Sequence, residues 1–433
     1  MPHELTELRL DAATRPGAEP VTEVIADVCV LGAGIAGSTA AIESARLGRR
    51  TALVDSLPLI GGQMVHSLIG LFCGIFGNAP EYQQLTHGIF DDIFGDLGPV
   101  GDLHFARGHT TTVFYNEVAL GRWLERTVSA LDIQVITGAV LLHADLRPDG
   151  RLEAITVATR FGSVKVIAGG FVDASGDAAL TWQAGLPCWV PSRTIYGSQQ
   201  VIVENLNEED KPEPGAIDAV FASKGAEHGL LRRGGLAFFF PGRGTAVLNV
   251  THIDAPLDPV DASRAMFDGR DQADKAIAVL KAEFPKAFGE ARVRAYGFPG
   301  RRQTRWIKGA HQLTTNEVRD GTRFGDAVAR TAWPIELHDR SDGYVWEMFG
   351  PDHVHYVPLR SMTPEGAHNL VAAGRCVDGD AAALSSVRVM GPCSAMGAAA
   401  AHALDLASAG KASVHDIDVA RLTGRLAANL GDD

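Results

Sequence analysis

The residues with the clearest chemistry come early: Gly32-Ala33-Gly34-Ile35-Ala36-Gly37. The spacing is G-x-G-x-x-G, placed after an apolar run (Ala26–Leu31) and before a helical pattern. In that context Gly32 permits a tight turn and Gly34 lets a pyrophosphate approach the backbone. Gly37 lets helix and strand pack closely. The N–H groups that open the helix, those of Ile35 and Ala36 among them, face the phosphates at the positive end of the helix dipole. Asp55 ends the next strand pattern, 18 residues after Gly37, and Ser56 follows it. An acid there accepts from ribose hydroxyls and disfavours a 2′-phosphate, which points to FAD or NAD rather than NADP.

A second group has acid–base or anion-binding character. His338, in PIELHD, and His355-Tyr356, before VPLR, are the best proton-transfer candidates. An imidazole titrates near neutrality, and a phenol can donate to a developing oxyanion. Arg360 adds a cation beside them. Arg301, Arg302 and Arg305 form a basic knot in GRRQTRW. If residues 302–309 are a strand, Arg301 and Arg305 share a face and Arg302 points opposite. Such a pair either holds a carboxylate bidentately or ties two lobes together. Trp346 and Phe349 read as core. The five cysteines form no C-x-x-C pair and no cluster has zinc spacing, so free thiols, a reducing compartment and no metal are expected.

These residues need elements to position them. Ala26–Leu31, a helix over 35–48 and Arg50–Val54 make a βαβ unit. Residues 114–131 carry helical spacing. Ile133–Ile136, Ala139–Ala144 and Leu152–Thr159 read as a strand and a small antiparallel meander, turning at Pro148-Asp149-Gly150. Residues 164–173 return to the parallel sheet. Short strands (237–240, 246–250) and helices near 262–283 and 322–330 give residues 186–360 a different texture. Asn369–Gly374 is another buried strand, and a helix rich in Ala and Gly runs from about Pro392 to Ala409. The expected division is an arm over 1–24, a nucleotide domain over 25–185 and 361–433, and an inserted α+β substrate domain over 186–360. The fold class is α/β, a Rossmann-like parallel sheet with a β-meander.

Composition agrees. The chain has 433 residues, enough to bury a large core without disulfide or metal staples. Its 48 glycines are about 11%, above the usual ~7%, as close backbone approaches require. A net charge of −13 argues against nucleic acid as a partner. No apolar run reaches the ~20 residues that span a bilayer, and residues 1–20 do not read as a signal peptide. A cytoplasmic protein without membrane contact is expected, and a homo-oligomer is compatible with it.

Taken together, the motifs resemble FAD-dependent oxidoreductases with a glutathione-reductase-type FAD-binding fold, over about residues 26–407. The resemblance rests on GAGIAG (32–37), IGGQ (60–63), FCGIF (72–76), VDASGD (172–177), NVTHID (249–254) and GRRQTRWIKG (300–309). AWPIELHD (332–339), VPLRSMTPEGAHNLVAAGRC (357–376) and SVRVMGPCSAMGAAAA (386–401) complete it. It implies FAD, with the meander interrupting the sheet and the turn Ala174-Ser175-Gly176 closing near the nucleotide. It also implies that Gly61-Gly62-Gln63 lies against the pyrophosphate and flavin, and that Val140 lies near adenine. Gly374-Arg375 stands where relatives often carry A-G-[DE], so Arg375 is expected at the phosphates. Cys393, Ser394 and Ala395, opening the last helix, are expected beside the flavin pyrimidine, where a helix dipole favours negative charge. Arg388 resembles an arginine that stands near flavin and substrate in related reductases. The competing expectation for Arg388 is a salt bridge to Asp378 or Asp380.

The leading functional expectation is two-electron dehydrogenation or oxidation of a small polar, carboxylate- or carbonyl-bearing substrate, with hydride passing to flavin N5. Oxygen or another electron acceptor would be the second partner. The alternatives are reduction of an activated C=C bond and a non-catalytic FAD-binding subunit. A monooxygenase is disfavoured, because Asp378-Gly379 followed by Arg388 matches the aromatic-hydroxylase pattern only loosely.

Overall fold

The computed structural model describes residues 11–12 and 22–431. The expected arm over 1–24 lies outside the described residues, apart from 11–12 and 22–24. The first half contains β1 (Thr22–Leu31), α1 (Ile35–Arg46) and β2 (Thr51–Val54). After a small antiparallel sheet over residues 71–115 comes α2 (Glu117–Ala130). Asn116 caps α2 by accepting from the N–H groups of Val118 and Ala119. β3 (Gln134–Ile136), β4 (Val140–Leu146), β5 (Leu152–Thr159) and β6 (Gly162–Asp173) follow.

A second sheet has β7 (Val201–Glu204), β8 (Leu236–Phe240), β9 (Thr245–Asn249) and β10 (Arg292–Tyr296), in the antiparallel order β8-β9-β7-β10. Packed on it is α3 (Pro259–Glu283), capped by Asp258 with Pro259 in the first turn. Its buried Ala273, Ala276, Ile277 and Leu280 share one core with Val201, Phe221 and Leu248. Two ribbons follow: β11 (Ala327–Thr331) pairs with β14 (His355–Pro358), and β12 (Ile335–Leu337) pairs with β13 (Val345–Glu347). A strand therefore occupies 327–330 of the helix expected over 322–330, and no helix forms over the rest. All five residues of β11 are buried, and a short run buried on both faces has no periodicity to separate strand from helix. Only Trp306–Ile307 of the expected strand 302–309 is extended in a sheet.

The chain then returns to the first sheet through β15 (Leu370–Ala372) and continues into α4 (Ala381–Val387) and α5 (Met390–Gly410), with two short helices after it over Val419–Arg425 and Ala427–Leu430. The parallel strands align at their carboxyl ends. Leu31 pairs Val54 and Asp173; Val54 pairs Ile136; Asp173 pairs Ala372. β6 is long enough to serve two neighbours on one edge, β5 along 162–167 and β15 along 171–173. α5 is rich in Ala and Gly because α1 lies against it. A Cβ on Gly397 would stand 2.1 Å from the Ala36 carbonyl oxygen. No helix among the described residues is long and apolar enough to cross a membrane.

Candidate active site

The aligned strand ends gather the loops after Leu31, Val54, Asp173 and Ala372 at one edge of the sheet, where open α/β folds have their ligand crevice. Gly32 (φ +102°) and Gly37 are closed positions, since an added Cβ would sit 2.3 Å from Ala174 O or 1.7 Å from Gly32 O. Gly34 is open, with nothing within 4 Å of a Cβ built there. α1 has no side-chain cap, so its opening N–H groups are left to an anionic ligand. Asp55 accepts from Ala33 N (2.5 Å) and Leu57 N (2.7 Å). Burial raises its pKa, against the pull of those two N–H groups. Asp55 thus locks the glycine loop to β2 and brings its carboxylate to the crevice, with Ser56 exposed beyond it. These features fit a dinucleotide: a closed turn, an open glycine, free helix N–H groups and an acid at the ribose end.

The other expected cofactor residues line the same crevice or brace it. Gly62 (φ +49°) packs on Gly34; a Cβ there would lie 2.6 Å from Gly34 Cα. Gly61 N donates to Ala33 O, while Gln63 turns away and donates to Arg301 O. Buried Asp173 organises the next turn by accepting from Ser175 and Thr181. Gly176 (φ +76°) leaves no room for a Cβ beside the Arg375 guanidinium. Arg375 reaches Asp177 (3.8 Å) and donates to Arg302 O (3.3 Å). Gly374 (φ +88°) faces Ala36 and Cys393. The side chains of Cys393 and Ser394 point inward, to Arg388 O (3.1 Å) and Thr39 Oγ1 (3.0 Å), and Ala395 is buried. Their expected contact with a ligand therefore falls to the backbone of α5. Burial pushes the Cys393 thiol up to about 12 and the Cys73 thiol well above its ordinary value. Val140 is exposed at the edge strand β4, while its neighbour Ala139 is buried and donates to Asp55 O.

Beyond Arg375 lies a charged cluster. Arg388 follows α4 and donates to Glu336 O (3.0 Å), and its Nε is buried without a partner. It pairs with neither Asp378 nor Asp380: Asp380 caps α4, and Asp378 accepts from Gly309 N and Gln312. Arg302 is buried and donates to Tyr196 O (2.6 Å) and Ser198 Oγ (2.8 Å). Burial, with Arg388 nearby, pushes its pKa down to about 9. Arg232, also buried, donates to Asn249 and lies over the Tyr344 ring. The carboxylate among them is Glu336 on β12. Burial raises its pKa, but His338, Arg388 and Arg302 outweigh that and hold it well below the usual range. His338, two residues on, contacts Glu336 Oε1 at 2.9 Å and His252 Nε2 at 2.8 Å, and its ring stacks on Tyr344.

Not every expected residue joins this cluster. Arg301 is displaced by Arg302, because the segment is too irregular for strand alternation to place it. Arg305 lies over Trp182 and donates to Asp177 O, bracing the Asp173–Asp177 turn. Arg360 is exposed and bound to Asp326 (3.0 Å), on the surface rather than in the site. His355 is fully buried between Ser386 (2.8 Å) and His353 (3.1 Å), and Tyr356 sits under Arg323. Those are packing roles. Trp346 is 44% exposed, against its expected place in the core, while Phe349 is buried.

Glu336, His252, Arg232 and Tyr344 were missed from sequence. Glu336-x-His338 had a usable signal, since period-2 spacing puts both on one face of a short strand. His252 lies in NVTHID, but 86 residues separate it from His338, and nothing local joins them.

The model of the FAD dependent oxidoreductase family matches residues 27–426. No curated protein matches the chain. Among solved structures, a geranylgeranyl bacteriochlorophyll reductase-like protein from Thermoplasma acidophilum shares the fold, with TM-score 0.52 and 14% identity over 95% of this chain and 86% of that one. Weaker likenesses include the flavin-dependent brominase Bmp2 (TM-score 0.47, 12% identity, 90% and 81% covered). Another is p-nitrophenol 4-monooxygenase from Pseudomonas putida DLL-E4 (TM-score 0.45, 10% identity, 94% and 81% covered). With a family match along nearly its whole length and a crevice that fits a dinucleotide, the chain belongs to the FAD-dependent oxidoreductase family, and its cofactor is FAD.

Proposed function

We propose that this flavoprotein is a dehydrogenase or oxidase of a small polar molecule carrying a carboxylate, or a carbonyl that becomes enolate-like as it reacts. One observation carries the reading: three buried or half-buried guanidiniums, Arg232, Arg302 and Arg388, surround the carboxylate of Glu336. Buried cations need anionic partners, and with Asp218 also acting on Arg232 this cluster is left one negative charge short. Arg302 and Arg388 already spend donors on neutral oxygens, yet Arg388 Nε is unpartnered. Bound FAD supplies the two-electron chemistry. Gly34 and the start of α1 hold its pyrophosphate, and Arg375 connects that crevice to Arg302. Arg388 and Arg302 bind and orient the substrate anion, and the two lobes between them exclude water.

The test is anaerobic titration of the FAD-loaded protein with a panel of small hydroxy, amino and saturated carboxylates and their neutral methyl esters. Bleaching of the flavin band by an acid but not by its ester supports the reading. Equal bleaching by both removes the anion from it. Recovery of colour when photoreduced protein meets an enoate would reverse the direction of electron flow.

A further inference from the structure

The hydrogen-bond chain through Glu336 has a proton count that can be worked out atom by atom. Ser341 O can only accept, so His252 Nδ1, 2.9 Å away, carries a proton. The 2.8 Å contact between His252 Nε2 and His338 Nδ1 needs a second, and the 2.9 Å contact between His338 Nε2 and Glu336 Oε1 a third. Two neutral imidazoles and a carboxylate supply only two. Swapping tautomers does not help, because it moves the protonless contact elsewhere in the chain. The closed chain is therefore neutral overall, and the same chain short of one proton carries −1.

The surroundings decide which form prevails. Arg302 and Arg388 face Glu336 and His338; Arg232 and Arg302 face His252. Tyr344 stacks on His338 and Tyr196 on His252, Cys73 lies near Glu336, and Asp218 acts on Arg232 and Tyr344. Burial and the arginines work against an added proton, pushing His252 down to about 3 and His338 in the same direction. An anion docked on the arginines cancels part of that opposition. His338 and His252 are sealed from solvent, whereas the Glu336 side chain is 19% exposed, so the chain opens to the site at Glu336.

We propose that His252, His338 and Glu336 form a proton-storing chain that takes up one proton from solvent when an anion binds at Arg302 and Arg388. The proton enters through Glu336, rests between Glu336 Oε1 and His338 Nε2, and leaves when the anion does. The charge of the chain goes from −1 to 0, and no covalent bond to carbon changes. Glu336 is the end that meets the ligand, and His252 is a positioning residue that fixes the His338 tautomer. The proposal rests on the anion-binding reading above.

Calorimetry of the FAD-loaded protein with acetate, oxalate and benzoate, in two buffers of different ionisation enthalpy, counts the protons. Uptake approaching one per anion is expected at pH 8, with affinity falling about tenfold per pH unit above neutrality by linkage. In Glu336→Gln the amide N–H₂ can donate to His338 Nε2, closing the chain with no extra proton. That variant should bind anions with no uptake and a flat pH profile. The wild-type pH profile serves alone if the variant fails to fold. Binding without uptake, or uptake unchanged in Glu336→Gln, overturns the chain and leaves the anion site standing. Failure of all three anions to bind overturns both.

Discussion

A side chain placed at Gly34 should separate cofactor binding from folding. Its backbone is extended (φ −71°, ψ −172°), which valine adopts freely, and a Cβ there meets nothing within 4 Å. The cost of Gly34→Val to the FAD-free protein is that of an aliphatic N-cap, about 1 kcal/mol. Its cost to FAD is larger, because the isopropyl group stands where the pyrophosphate must approach. Losing two charge-assisted N–H bonds at about 1.5–3 kcal/mol each gives about 3–6 kcal/mol, or about 10²–10⁴-fold in Kd. Gly37→Ala makes the contrast. Its methyl would lie 1.7 Å from Gly32 O, so α1 must lift off β1, at a cost of about 1–3 kcal/mol or more with or without FAD. The assay is FAD titration of stripped protein by flavin fluorescence, beside thermal melts of the same samples. Gly34→Val should melt near wild type and hold little FAD; Gly37→Ala should melt low in both forms. Wild-type FAD affinity in Gly34→Val would refute the placement of the pyrophosphate.

Three further outcomes follow from the geometry. Lysine keeps charge but loses the guanidinium fork, so Arg388→Lys and Arg302→Lys should each lower kcat/KM by about 10²-fold with normal FAD content. Arg301→Lys should change it little, as steady-state kinetics on the substrate found by bleaching will show. Arg360→Ala should leave urea stability within about 0.5 kcal/mol and activity intact, because the Arg360–Asp326 pair is on the surface. Burial raises Asp405, but Arg425 and Arg49 outweigh it and leave its pKa lowered. Its stabilisation is present above the unfolded carboxyl range of about 3.9 and is lost as pH falls through the lower folded value. The gap in urea midpoint between wild type and Asp405→Asn should therefore close below about pH 4.

The nucleotide half was legible because its signals are local. Gly32, Gly34, Gly37 and Asp55 sit within one βαβ unit, and the turn at Pro148-Asp149-Gly150 announces the meander. The charged cluster around Glu336 was less legible because it is assembled from afar. Glu336, His252, Arg232 and Arg302 come from four separate segments, and only tertiary packing brings them together. Arg301 was preferred over Arg302 on strand alternation, and the segment is not a strand. His355 and Tyr356 looked catalytic by type, yet their partners Ser386, His353 and Arg323 give them packing roles. Residue type says what a side chain can do, and burial and neighbours say whether it is placed to do it.

The shared edge of β6 has a consequence for how the protein is made. Leu370–Ala372 docks beside Phe171–Asp173 only after the second sheet and both ribbons have been synthesised. Until then residues 171–173 at the end of β6 present unpaired N–H and C=O groups on that edge, the template on which strands from other chains add. Closing a loop of this length is entropically slow. The nascent nucleotide half must therefore wait on the ribosome with an open edge beside its own cofactor crevice. Fragments cut near residue 185 inherit that edge permanently and should aggregate, whereas chains that retain β15 and α5 can cover it.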